Sequence, residues 1–312
     1  MARFCTGMKE EMNLSEVSAA PPRITWKDFI ALTKPGILRS NLFAALGGFW
    51  VASQWKIDWP LMIWVLVGTL LVMASSCVFN NYLDRDFDIK MERTRNRALP
   101  AGRIHPQIVF WYGMLLGVLG LAIFVAFTNL LTVALAIIGM FFYIVVYTAW
   151  LKRTSTWSTS VGGVSGAMPP VIGYCAVTGR VDMGAVLLFA ILFLWQPPHF
   201  WALGIRRLDD YRNAGYPLLP VVKGVRRTQL QMIPYVALLI PAGILLYTYG
   251  YVNVIFPIVS TVMGILWLII CLRGLQAEDP VKWSKQPFLF SIQYLMLIIL
   301  LLILTTSGGW LG

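Results

Sequence analysis

Oxygen-bearing side chains recur at four-residue steps in Asn80-Asn81-Tyr82-Leu83-Asp84-Arg85-Asp86-Phe87-Asp88. On a helix turning about 100° per residue, Asn80, Asp84 and Asp88 fall within roughly 80° of one another, on one face. Asp86 points elsewhere. Such a ladder suits Mg²⁺, which takes one or two carboxylates and fills its shell with water and substrate phosphates. Directly after it come Lys90, Arg93, Arg95 and Arg97, and arginine forks match phosphate oxygens. Carboxylates, a divalent metal and several cations together make a site for a polyanion, most economically a diphosphate. Two other readings compete. The ladder could be a solvated helix end with i,i+4 charge pairs, or a cation-release site of a transporter. The cations alone could reflect topology and anionic lipid headgroups.

A second group lies further on. Trp195-Gln196-Pro197-Pro198-His199-Phe200-Trp201 precedes Arg206-Arg207-Leu208-Asp209-Asp210-Tyr211-Arg212. Asp209 and Asp210, in the same acidic loop as Arg206, could complete a two-metal diphosphate clamp, although no second carboxylate follows at i+4. His199 sits in an aromatic, apolar stretch, after a double proline expected to interrupt its helix. An ionisable residue inside a span is a functional candidate. A flat macrocycle would fit beside Trp195, with His199 as iron ligand or hydrogen-bonding group. A satisfied structural histidine is the plainer alternative. His105 reads as surface. Lys152 and Arg153 are either snorkelling anchors or further diphosphate cations. Gly162 and Gly166 have the spacing of a close helix contact.

The elements that carry these residues follow from composition. The chain has 312 residues, 58% of them apolar and 12% charged, with mean hydropathy +0.71. That excludes a disordered chain, a coiled coil and a disulfide-stapled secreted domain, and makes lipid the expected solvent. Nine segments are long and apolar enough to span: roughly 36–55, 60–79, 107–128, 130–150, 159–178, 184–204, 229–250, 253–273 and 286–307. Uninterrupted apolar length excludes barrel strands, so the fold class is an all-α membrane protein of nine helices around a central cavity. Residues 1–30 read as a polar cytoplasmic tail without a signal or transit peptide, and 31–312 as one domain.

The net charge of +11 would suggest nucleic acid in a soluble protein. Here it marks loop asymmetry, and no nucleic-acid partner is expected. Of 25 Lys and Arg, all but Lys56 and Arg180 fall on one side of the nine spans. The positive-inside rule then puts the N-terminus in the cytoplasm and the C-terminus outside. Two long cytoplasmic connections, 80–106 and 205–228, carry the candidate residues and would cap the active site. Cys5, Cys77, Cys175 and Cys271 have no metal or redox spacing and read as small apolar residues.

These residues resemble a known family. The Asn-x-x-x-Asp-x-x-x-Asp ladder on the second helix, nine spans and a second acidic loop four helices later look like the UbiA-type intramembrane prenyltransferases. Leu32 to Ile37, Arg93 to Arg97, Pro100 to Gly102, Tyr147 to Thr154 and Gly162 to Gly173 share in the match. Trp195 to Pro220 points to the branch that modifies heme. The second loop departs from several sister branches in lacking Asp-x-x-x-Asp, and Ser158 stands where many relatives carry Asn. The resemblance implies farnesyl diphosphate as donor and protoheme IX (heme B) as acceptor, with heme O formed for heme A and heme-copper oxidases. Asp84 and Asp88, helped by Asn80, would hold Mg²⁺. Arg93, Arg97, Lys152 and Arg153 would neutralise the departing diphosphate, and His199 and Trp195 would meet the heme. It further implies a prokaryotic plasma membrane and a downstream heme A synthase as partner. A quinone-precursor acceptor, or heme or solute transport without chemistry, are the other functions the residues allow.

Overall fold

The computed structural model describes residues 24–308. It opens with α1 (Trp26–Leu32), inside the stretch expected as a tail; residues 1–23 of that tail, Cys5 among them, lie outside the described residues. Then come α2 (Pro35–Ser53), α3 (Trp59–Asp88) and α4 (Pro106–Phe127). Next, α5 (Leu130–Phe141) runs on as a π-helix (Phe142–Leu151) into α6 (Lys152–Thr154). A span broken at Ala167 gives α7 (Ser158–Gly166) and α8 (Met168–Thr178). The chain continues through α9 (Met183–Arg206), the short α10 (Leu208–Ala214) and α11 (Leu219–Val222), then α12 (Val225–Thr248) and α13 (Ile255–Gly274). It closes with α14 (Pro280–Trp283) and α15 (Lys285–Thr305).

The fold is all-helical, with eight helical segments long and apolar enough to cross a membrane among the described residues. The remaining long helix, α2, has 19 residues and is diluted by Arg39, Ser40 and Asn41. In hydrocarbon, apolar burial gives no drive for helices to associate, so close packing must do it. Small residues make that possible. A Cβ on Gly48 would lie 2.0 Å from the Pro170 carbonyl oxygen, and one on Gly173 would lie 2.1 Å from that of Ala45. These glycines let α2 cross α8 at backbone contact. Large exposed apolar side chains such as Ile63, Trp111 and Leu130 line the outside, the face a lipid solvent requires. At the short-turn end, Asp58, Asn129 and Asp182 accept backbone N–H bonds and cap α3, α5 and α9. Cys77, Cys175 and Cys271 are buried free thiols.

Two expectations change. The ladder is helical, as its spacing implies, but the span expected at 60–79 extends as one helix to Asp88, so the connection expected from residue 80 begins only after it. Helix α9 runs unbroken through Pro197 and Pro198. Packing holds it there: Gln196 Nε2 donates to the carbonyls of Leu192 and Gly163, 3.0 Å each, tying α9 to α7 where the prolines lack donors. His105 is exposed, as read from the sequence, and its Nδ1 also accepts from Gln107 N–H and caps α4.

Candidate functional site

Helix α3 buries Asn80, Asp84 and Asp88 together, and leaves Asp86 exposed beside Arg85. Each rung meets a cation from another element. Lys34 Nζ donates to Asn80 Oδ1. Lys152 Nζ lies 2.5 Å from Asp84 Oδ2, and Arg153 Nη2 lies 4.0 Å from Asp84 Oδ1. Arg97 Nη1 lies 2.9 Å from Asp88 Oδ2 and 3.2 Å from Asn81 Oδ1. Thr94 Oγ1 donates to the Asp88 carbonyl and folds the following segment back onto the ladder.

The π-helix sets the register of the opposing wall. Thr148 Oγ1 donates five residues back to Tyr143 O and accepts from Asn80 Nδ2 at 3.0 Å. That extra residue per turn presents Thr148 to Asn80 and, one turn on, Lys152 to Asp84. Single π-turns recur at functional sites. The ring of Tyr147 packs on Gly162, where a Cβ would sit 2.6 Å from it.

Lys34 escaped the reading of site residues from the sequence. It caps α2 at φ 55°, ψ 67°, left-handed backbone that non-glycine residues rarely adopt. The strain, on the order of 1 kcal/mol, is held by the rest of the fold. Burial, and then the charges of Arg97 and Lys152, bring its ammonium down to about 8. A lysine directly before Pro35, at the foot of an apolar run, was the available signal.

The second connection reaches this cluster through an aromatic ring. Gly215, at φ 78°, ends α10 in the left-handed region and turns the chain inward. Tyr216 then stacks on Phe87 at 4.8 Å, and its ring lies 4.7 Å from Lys152 Nζ. Asp209 is 85% exposed and pairs with Arg212, and Asp210 lies 3.9 Å from Arg207. No ion pair or hydrogen bond joins either acid to the ladder among the described residues. Arg93 also stands apart: it is exposed and lines a cavity with Arg206 and Arg207.

The aromatic group forms a separate wall between α9 and α15. His199 is stacked on Trp195 (4.6 Å between ring centres) and on Phe288 (5.0 Å). Trp195 Nε1 donates to Ser291 O at 2.7 Å. The Ser291 hydroxyl is 2.6 Å from the Phe288 carbonyl, to which it must donate, so it accepts from His199 Nδ1 at 2.7 Å. The Nδ1–H tautomer follows, which leaves the Nε2 lone pair uncommitted.

Whether Mg²⁺ fits can be judged from Asp84. Its Oδ1 is buried and has no hydrogen-bond partner, a costly state for a carboxylate oxygen unless something fills it. No three His, Cys, Asp or Glu converge as a cage among the described residues. Mg²⁺ needs no such cage, since it takes one or two carboxylates and completes its shell from water and phosphate. The oxygen donors of Asp84 and Asp88 fit the ion.

Comparison with known proteins places the chain among its relatives. Residues 41–310 match the UbiA prenyltransferase family. The chain is 49% identical over 283 residues to protoheme IX farnesyltransferase 1 of Bacillus velezensis, covering 88% of this chain and 90% of that one. It is 47% identical to the protein of the same name from Bacillus subtilis, over 89% and 90% of the two chains. Among solved structures, a digeranylgeranylglyceryl phosphate synthase superposes with TM-score 0.76 at 19% identity, covering 89% of this chain and 97% of that one. A UbiA homologue from Archaeoglobus fulgidus, bound to GPP and Mg²⁺, superposes with TM-score 0.67 at 15% identity, over 88% and 99%. A family match over most of the chain, with relatives close to half identical along nearly nine-tenths of it, shows that the chain belongs to the UbiA prenyltransferase family.

Proposed function

We infer that this enzyme is a prenyltransferase that moves the farnesyl group of farnesyl diphosphate to a vinyl group of protoheme IX, giving heme O and diphosphate. The names of relatives at 43–49% identity support that reaction. The observation that carries the site assignment is the orphaned Asp84 Oδ1 inside a ring of four cations, Lys34, Arg97, Lys152 and Arg153.

Asp84 and Asp88 would hold Mg²⁺, with Asn80 beside them. When bound, the metal supplies Lewis-acid stabilisation of the diphosphate oxygens. Lys34, Arg97, Lys152 and Arg153 supply preorganised positive charge where the leaving group gains its negative charge. The farnesyl C–O bond breaks and its electron pair leaves with the diphosphate. The vinyl π pair then forms the new C–C bond. Water captures the resulting porphyrin-side cation and loses a proton, which completes the hydroxyethyl-farnesyl substituent. The Tyr147 ring beside Lys152, at 5.9 Å, offers a π face to the allylic cation. His199 and Trp195 form the porphyrin wall, with the free Nε2 of His199 as the group for iron.

The same reading counts α2 as a ninth span, which makes the long connections cytoplasmic, the N-terminus inside and the C-terminus outside. A bacterial plasma membrane fits it, as does a heme A synthase that takes up the product. Residues 31–312 act as one domain. The deciding experiment incubates the purified protein with farnesyl diphosphate, protoheme and Mg²⁺ and analyses the extracted heme by mass spectrometry. Heme O is expected. Transfer to an aromatic quinone precursor instead, or no diphosphate release, would overturn the assignment.

A further inference from the structure

We propose that Arg93, Arg206 and Arg207 form a clamp for the two carboxylates of the porphyrin, a proposal that rests on protoheme being the acceptor. The three arginines line a cavity of about 230 Å³ whose other walls include Met91, Leu203, Tyr211 and Phe288. It is sized for the polar edge of a macrocycle, with the ring lying outside it. Among the described residues, neither Arg93 nor Arg206 has a carboxylate partner, and Arg207 has only Asp210 at 3.9 Å. The cavity therefore holds surplus positive charge on an apolar floor. It suits an amphipathic dianion: a flat apolar body with two carboxylates at one edge.

Its position ties it to the aromatic wall. Phe288 lines the cavity and also stacks on His199 at 5.0 Å. The Arg206 guanidinium lies 5.9 Å from the centre of the same Phe288 ring. His199, Leu203 and Arg206 follow at i, i+4 and i+7 on α9, within roughly 60° of one face and about 10 Å apart end to end. That separation is comparable with the distance from the centre of a porphyrin to its extended carboxylates. Iron at His199 and carboxylates at the arginines would fix the in-plane rotation of the ring. The vinyl edge, opposite the carboxylates, would then be the edge free to meet the prenyl donor. The diphosphate has its own cations in Lys34, Arg97, Lys152 and Arg153, so the arginine trio is surplus to that task.

The test uses the full chain in nanodiscs of zwitterionic lipid, titrated with protoheme and with its dimethyl ester and followed by Soret absorbance. Wild type should bind the diacid at least about tenfold more tightly than the ester. In R93A/R206A that preference should vanish while KM for farnesyl diphosphate stays unchanged. Both side chains are exposed, so the variant keeps its packing, and R93K/R206K should retain part of the preference. Persistence of the preference in R93A/R206A overturns the clamp. So does a parallel rise in KM for farnesyl diphosphate, which would make the trio a diphosphate subsite. Loss of the wild-type preference on adding anionic phospholipid would assign the cavity to lipid headgroups and also overturn it. Carboxylate-dependent binding without heme O formation would sink the transfer reading and leave the clamp standing. Equal farnesylation of diacid and ester would do the reverse.

Discussion

Lys152 Nζ rests 2.5 Å from Oδ2 of Asp84, while Oδ1 of the same carboxylate is buried without a hydrogen bond, its nearest cation Arg153 at 4.0 Å. Asp84 thus has one oxygen hydrogen-bonded and one still able to take a ligand. Asp84→Asn should lower kcat by about 10²–10³-fold, the scale seen when one electrostatic partner of a transition state is lost. It also strands a buried ammonium, at about 3–5 kcal/mol. The double variant D84N/K152M should recover much of that stability in a detergent melt while staying inactive. Recovery of activity in the double variant would remove Asp84 from the metal site.

Lys34 separates binding from folding in another way. Its backbone is left-handed and its ammonium sits on Asn80. Lys34→Gly relieves the backbone strain and deletes the charge. Its Tm should hold or rise slightly, while KM for farnesyl diphosphate rises about tenfold or more. KM for protoheme should not move. An unchanged KM for the diphosphate would make Lys34 a structural cap only.

Chelation should act on one substrate alone. With EDTA, turnover should stop and return on adding Mg²⁺, because Asp84 and Asp88 supply only part of a coordination shell. Protoheme binding, read by Soret absorbance, should survive chelation, since the stacking and hydrogen-bond partners of His199 are Trp195, Phe288 and Ser291 rather than residues of the ladder. Turnover at full rate in EDTA would leave the cations as the only counter-charge.

Ser291 sets the tautomer of His199. Its hydroxyl hydrogen goes to the Phe288 carbonyl, so its oxygen can only accept from Nδ1. Ser291→Ala removes that acceptor and frees the proton to move to Nε2. Groups that orient an imidazole ligand are worth about 10–100-fold in metal affinity. Ferric heme binding should weaken on that scale, and His199→Ala should abolish the Soret shift. Identical spectra in wild type and H199A would exclude iron ligation.

Sequence periodicity made the spans and the ladder readable, because both are one-dimensional patterns: apolar length and a four-residue step. What it missed depends on contacts between distant segments. Asp209 and Asp210 drew attention by residue type, yet Tyr216 is the residue that reaches Lys152, and a turn at Gly215 decides that. Lys34 sits 46 residues before Asn80, and nothing local links them. The double proline of α9 looked like a break because proline removes donors, but Gln196 anchors the helix laterally. Arg93 and Arg97 share one short basic run, yet one meets Asp88 and the other a separate cavity.

The crossing of α2 and α8 gives a prediction of stability without chemistry. Gly173 faces Ala45, and a Cβ there would lie 2.1 Å from a carbonyl oxygen and 2.9 Å from the Phe49 nitrogen. These are backbone atoms, so no side chain can swing away and the helices must part. Gly173→Ala should cost about 1–3 kcal/mol, as overpacking does, and lower the melting temperature in detergent by several degrees. Gly36→Ala is the control, with nothing within 4 Å of its Cβ, and should melt like wild type. Gly173 contacts α2 at Ala45 and Phe49, away from the ladder, so activity per folded molecule of Gly173→Ala at low temperature should remain. If Gly173→Ala melted like Gly36→Ala, α2 and α8 would not be in backbone contact in the membrane.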